Sequence, residues 1–255
     1  MERTNRQRLL EYMTWPEIGE ALEQGLRTVI VCAGSIEQHG PHLAQLTDTQ
    51  IGYGISLALA ERIDALVAPV IRPGLSEHHM AMPGSLTLRP EVFEGLVEDY
   101  VSCYARHGFT TILLMSSHGG NFNAIAALAA RLDGHHPGVR VRSVGDMGGL
   151  TREFQACEAA EGMPRGACGG HACDWETSIM LHLAPQHVRM DRAERGFIGE
   201  VTPQMAAQMM QRGMKALSEN GIMGDARMAD AARGARYVDR FVDLLEQLAR
   251  EAMAD

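Results

Sequence analysis

Glu37 and His39 stand two residues apart in Val31-Cys-Ala-Gly-Ser-Ile-Glu37-Gln-His39-Gly-Pro-His42. In extended backbone such side chains leave from one face, so this segment can offer a carboxylate and an imidazole to a shared centre. Asp48 follows in Thr47-Asp48-Thr49, where a helix should begin. Its short carboxylate can cap that helix or bridge two cations. His118 opens Ser117-His118-Gly119-Gly120-Asn121. Gly119 and Gly120 let backbone come close to a ligand, and free amides at a helix start favour an anion or a developing oxyanion. The third cluster is Gly169-Gly170-His171-Ala-Cys-Asp-Trp-Glu176-Thr-Ser178. Residues five apart on a helix diverge, so His171 and Glu176 can share a site only if His171 precedes the helix proper. Glu176 serves equally well as an acid complementing the helix dipole.

A mixed His/Asp/Glu set without thiolates suits Zn(II), Mn(II) or Fe(II), and a bridging carboxylate suits two ions rather than one. The chemistry expected is hydrolysis by metal-bound hydroxide. Two divalent ions acidify a water, one polarises a carbonyl, and a nearby group passes the proton to the leaving atom. His171 is the candidate shuttle, because imidazole titrates near neutrality.

These residues need a frame. Apolar, β-branched runs bounded by Gly or Pro at 28–33, 65–71, 110–115 and 139–144 read as buried strands. Between them, 47–63, 90–106 and 121–132 carry apolar residues at helical spacing. Such alternation predicts an α/β fold, a mainly parallel sheet covered on both faces by right-handed crossovers. In that architecture ligands bind at the carboxyl ends of strands, where the Glu37/His39 segment and His118 both fall. Residues 145–173 read as a long loop or lid, and 203–220 and 226–254 as helices, with Met205, Met209, Met210 and Met214 forming core or a subunit interface. No linker or repeat interrupts the chain, which reads as one domain over 1–255.

The 255 residues are 45% hydrophobic and 22% charged, an ordinary globular composition. With 32 acidic against 23 basic residues and a net charge of -9, neither nucleic acid nor an anionic membrane surface is an expected partner. A small-molecule substrate and further copies of the chain are. Scattered charge at the N-terminus, the lack of a spanning-length apolar run, and five cysteines without a CxxC pair point to the cytoplasm.

The motifs resemble the creatininase (creatinine amidohydrolase) family. The resemblance rests on Gly34-Ser-Ile-Glu37-Gln-His39-Gly-Pro-His42-Leu43 with Thr47-Asp48-Thr49, on Leu75-Ser-Glu-His78 with Met82-Pro-Gly-Ser85, and on His118-Gly-Gly-Asn121. It continues through His171-Ala-Cys-Asp-Trp-Glu176, Gly221-Ile-Met-Gly-Asp225 and the opening Trp15-Pro16-Glu17. It implies a three-layer α/β/α domain, often assembled as a hexamer. One metal would be held by Glu37, Asp48 and His118, the second by His39 and Asp48, with Asp48 bridging. Creatininase proper has a glutamate where this chain has Gly120. The resemblance makes Glu176 the substitute ligand and His171 the acid/base, and it puts His78, Ser85, Gly119, Gly120 and Asn121 forward as substrate contacts. Cys173 and Asp174 are further departures, since many relatives read Gly-Glu there.

Members with His-Gly-Gly-Asn resemble deformylases, peptidases of peptide-cofactor maturation and hydrolases of a cyclic diketone from inositol breakdown. The reaction implied is therefore opening of a cyclic amide or cleavage of a formamide-type C–N bond. The alternatives are C–C or ester ring opening at the same site, or a ligand-binding member without turnover. That last reading would need missing ligands, whereas Glu37, His39, Asp48, His118 and a candidate fifth, Glu176, are all present.

Overall fold

The computed structural model describes residues 7–199 and 201–254. Its frame is a parallel sheet in the order β2-β1-β3-β4, made of β1 (Thr28–Ala33), β2 (Leu66–Val67), β3 (Thr111–Ser116) and β4 (Arg140–Ser143). β1 and β3 pair along their full length, from Thr28 opposite Thr111 to Ala33 opposite Ser116. Their side chains alternate between two cores. Val29, Val31, Ile112 and Leu114 face one side with α1 (Trp15–Glu23), α3 (Pro90–Arg106) and α4 (Phe122–Leu132), where Phe93, Val97, Ile125 and Leu128 are buried. Ile30, Cys32, Leu113 and Met115 face the other side, where Ile55 and Leu59 of α2 (Thr47–Ile63), Ile179 of α6 (Asp174–Leu183) and Phe241 of α8 (Ala231–Ala254) pack. A sheet buried on both faces needs strands apolar at every position, which explains the continuous runs in β1 and β3. The three-layer α/β/α expectation holds.

Four expectations are corrected. The second strand, expected over 65–71, is regular only at Leu66–Val67. Ala68 N–H still meets Ile30 O at 2.9 Å, but the next bond to β1 runs from Ile71 N–H to Cys32 O at 3.0 Å, so three residues span two on β1 and the strand bulges at Pro69-Val70. The stretch expected to be a long loop or lid contains α5 (Met147–Ala160), capped by Asp146, whose carboxylate accepts from Gly149 N–H at 2.9 Å. Gly148 and Gly149 lower helix propensity, yet Leu150, Phe154 and Cys157 fall on one face and pack against the core. The helix expected over 203–220 ends as α7 (Pro203–Arg212) because Gly213 turns to φ 83°, and the terminal helix begins at Ala231 rather than 226.

α8 seats α6 closely. A Cβ on Gly234 would lie 2.9 Å from Ile179 N, so only glycine permits this approach. No helix among the described residues is long and apolar enough to cross a membrane.

Candidate metal centre

The carboxyl ends of β1 and β3 lie side by side, and the loops that leave them carry Glu37, His39 and His118 to one place. Asp48 joins them from the first turn of α2. It does not cap that helix: it is buried, its Oδ1 lies 3.3 Å from His39 Nε2 and its Oδ2 lies 3.4 Å from His118 Nδ1. Glu37 Oε2 lies 3.2 Å from His118 Nδ1, and Glu176 Oε2 lies 3.7 Å from His39 Nε2. Three sets of atoms spaced to hold a metal result, Glu37/Asp48/His118, His39/Asp48/Glu176 and Glu37/His39/His171, with Asp48 shared by the first two.

The orientation of each imidazole is set from behind. His118 Nε2 lies 3.1 Å from the Leu75 carbonyl, which fixes the proton on Nε2 and turns the Nδ1 lone pair inward. Its backbone is tied to Ser116 Oγ, which accepts from His118 N–H at 3.0 Å and donates to His118 O at 2.8 Å. In His39 the roles reverse: Nδ1 lies 3.2 Å from the Glu37 carbonyl and Nε2 is free to face the carboxylates. Ser35 Oγ donates to Glu37 Oε2 at 3.0 Å and holds that carboxylate in position.

A metal fits this donor set. Glu37 Oε1, His39 Nε2 and Asp48 Oδ2 are buried with no hydrogen-bond partner, and such atoms are costly unless something else satisfies them. Although burial opposes it, Asp48 and Glu176 hold the His39 imidazole well above its usual pKa, and Glu37 and Asp48 do the same for His118. Against its own burial, Glu37 is held well below the carboxylate range by His118, His79 and His171. Protons on His39 and His118 thus supply the positive charge that the clustered carboxylates demand, and divalent cations would supply it better.

His171 precedes α6, as the spacing of the third cluster requires. It is pinned by an antiparallel bridge to Met223, and its Nδ1 lies 3.7 Å from Glu37 Oε1. Burial, then the charge of His39, lowers its pKa and favours the neutral ring of a base. Ala172 turns to φ 51°, which aims its N–H at Glu176 Oε2 in a short hydrogen bond. Asp174, at the start of α6, is fully buried and accepts from Tyr237 Oη at 2.9 Å and Arg233 Nη2 at 3.0 Å, both on α8.

The residues put forward as substrate contacts divide. His78 is buried, its ring stacked over His118 with centroids 5.8 Å apart, and burial lowers its pKa to about 4. Gly119 lies beside Met147, whose Sδ would be 3.8 Å from a Cβ there. Gly120 is packed shut: a Cβ would lie 2.5 Å from His118 Nε2 and clash with the Leu75 carbonyl, so no glutamate fits in its place. Ser85 supports the site from outside, its Oγ accepting from Gln38 N–H at 3.1 Å. Asn121 stands apart from the expectation. Its side chain is buried and accepts from Leu75 N–H at 2.9 Å while donating to Gly34 O at 3.0 Å, which makes it a brace between loops.

His79, which with His78 resembles a position near the family's substrate pocket, has its Nε2 3.2 Å from Glu37 Oε1. Sequence reasoning missed two participants. Gln38 reaches both His79 and His171, and His42 Nε2 meets Thr177 Oγ1 of α6 at 2.8 Å. The one signal was position, since Gln38 and His42 lie inside the first motif.

Known proteins resemble this chain along nearly its whole length. The family model described as creatinine amidohydrolase matches residues 11–249. A mycofactocin precursor peptide peptidase of Mycobacterium tuberculosis (strain CDC 1551 / Oshkosh) is 32% identical over 251 residues, covering 89% of this chain and 88% of the relative. A 3-dehydro-scyllo-inosose hydrolase of Thermotoga maritima is 25% identical, covering 94% of this chain and 82% of its own length. Among solved structures, a mutant creatininase of Zn-Zn type superposes with a TM-score of 0.78 at 23% identity, over 96% of this chain and 98% of that one, a likeness of fold.

Proposed function

The chain belongs to the creatininase family of hydrolases, and from that premise we propose that it hydrolyses an amide-type C–N bond, that of a cyclic amide or a formamide, at a centre of two divalent metal ions. Glu37, Asp48 and His118 would hold one ion and His39, Asp48 and Glu176 the other, with Asp48 common to both sets. The ions, when bound, acidify a water and polarise the carbonyl under attack. Ser35 fixes the Glu37 carboxylate, and the Leu75 and Glu37 carbonyls fix the two ligand imidazoles. His171 Nδ1, beside Glu37 Oε1, takes the proton of the attacking water and hands it to the leaving nitrogen. The observation that carries this reading is the pair of triads sharing Asp48, with three buried atoms of those triads lacking any hydrogen-bond partner.

The mycobacterial relative, named a peptidase, supports a C–N bond and extends the substrate class to peptide amides. The Thermotoga relative, named an inosose hydrolase, favours a second reading in which the same centre opens a cyclic ketone. The Zn-Zn creatininase makes zinc the first ion to try, before manganese and iron. Tyr12 and Trp15, exposed at 68% and 85%, support assembly with further copies, and the free cysteines support a reducing, cytoplasmic setting.

The test is elemental metal content of the desalted chain, followed by a panel of cyclic amides, formamides, short peptides and cyclic ketones. We expect close to two ions per chain and turnover confined to C–N substrates. Turnover of the cyclic ketones alone would favour the second reading. A chain that neither carries nor rebinds zinc, manganese or iron sinks both.

A further inference from the structure

Glu158, near the end of α5, is 9% exposed, and a carboxylate so placed is costly unless it is hydrogen-bonded. Its Oε2 accepts two backbone amides of the loop that follows, Gly166 N–H at 2.8 Å and Cys168 N–H at 3.1 Å. That loop runs into His171 and then into α6.

The second of these bonds fixes a peptide plane. The unit joining Ala167 to Cys168 is planar and trans, so an N–H aimed at Glu158 turns the Ala167 carbonyl the opposite way. There the carbonyl accepts from Asp174 N–H at 3.3 Å and Asp225 N–H at 3.1 Å. The first amide belongs to the opening turn of α6, where helix N–H groups have no partner within the helix. The second ends the motif Gly221-Ile-Met-Gly-Asp225, whose Met223 exchanges backbone bonds with His171 at 2.8 and 3.4 Å. Packing leaves this peptide little slack: Gly224 sits at φ 128°, and a Cβ there would lie 2.5 Å from both Ala167 O and Cys173 Cβ. One carbonyl thus ties the helix that carries Glu176 to the strap that pins His171, and one carboxylate aims it. The charge on that carboxylate also polarises the peptide and strengthens the bonds on its far side.

Resting on the proposed function, in which Glu176 holds an ion, we propose that Glu158 is a positioning residue for Glu176, acting through the Ala167–Cys168 peptide on the first turn of α6. It touches neither ion nor substrate. Its influence reaches His39/Asp48/Glu176 and passes by Glu37/Asp48/His118, none of whose residues lies on α6 or on the loop before it.

The experiment compares the full native chain with Glu158→Gln and Glu158→Ala by backbone amide NMR, zinc-loaded and chelated, and by zinc competition against a chelating dye. A carboxylate, an amide oxygen and a methyl group form a descending series of acceptors, so the Gly166 and Cys168 N–H signals should move upfield along it. The Ala172 N–H, which donates to Glu176 Oε2, should move with them. Zinc at the second position, assigned by comparison with Glu176→Gln, should weaken roughly tenfold in Glu158→Ala and about threefold in Glu158→Gln, with the first position within about twofold. Should Glu158→Ala fail to fold, Glu158→Gln decides on the same signals. An Ala172 signal that stays in place while Gly166 and Cys168 move overturns the proposal, because Glu158 then serves the loop alone. A second ion held as tightly as in the native chain, or equal weakening of both ions, overturns it too. A chain that binds no zinc refutes the hydrolase reading, while Ala172 in the chelated spectra still decides the role of Glu158.

Discussion

The two triads share Asp48 but stand on different supports. Glu37/Asp48/His118 is built from the ends of adjacent central strands and the first turn of the helix after β1. His118 is locked by Leu75 and Ser116, and Gly120 is packed against its ring. His39/Asp48/Glu176 needs a ligand from α6, and α6 is held by α8 through the close approach at Gly234 and the buried Asp174–Tyr237 and Asp174–Arg233 contacts. The first half of the centre is as rigid as the sheet, whereas the second is only as well placed as the packing of two helices. Changes remote from the centre should therefore reach the second half first.

The largest effect should come from the shared residue. Asp48→Ala should lose both ions and lower activity on the order of a thousandfold or more, whereas Glu176→Gln should keep one ion. Metal content separates the two variants, and equal losses would dissolve the distinction between the triads.

A second measurement probes the joint between the supports, where His42 on the β1 loop meets Thr177 on α6. Burial, then the charge of His39, lowers the His42 pKa to about 4. The unfolded chain takes up that proton near the ordinary value, so the contribution is complete above about 6.5 and is lost as pH falls toward about 4, roughly 3 kcal/mol in all. Urea unfolding of the chelated chain at pH 7.5 and 4.5 should show His42→Gln losing less stability on acidification than the native chain. Parallel losses would mean that His42 is not the group responsible.

The smallest effect should come from α8. Tyr237→Phe removes one hydrogen bond to the buried Asp174 carboxylate, a loss of about 1.5–3 kcal/mol for a bond to a charged group, only part of which reaches the centre. Zinc affinity should drop about tenfold at the second position and not at the first. Equal weakening of both ions would contradict the separation.

What the sequence made legible follows the same division. β1, β3 and the helices over 47–63 and 90–106 appear where their periodicity places them, because an apolar run between turn residues has few alternatives. Glu37, His39, Asp48 and His118 were legible because strand ends and residue alternation place them with little freedom. α5 was not, since Gly148 and Gly149 mask a helix that tertiary packing restores. Glu176 was recoverable from spacing only as one of two choices, because its place depends on the turn at Ala172 and on contacts with α8. Gln38 and His42 carry no pattern of their own, and their roles arise from partners far along the chain.

That remoteness bears on when ions can bind at all. Gln38 and His171 meet across 133 positions, and His42 and Thr177 across 135. An unfolded chain does not assemble His118 and Glu176 with the donors at 37–48, so ions bound at the full set would favour the native state and act as its thermodynamic ligands. At free metal a hundredfold above the dissociation constant this adds about 2.7 kcal/mol per site. The supply of metal would then govern how much of the chain stays folded as well as how much of it is active.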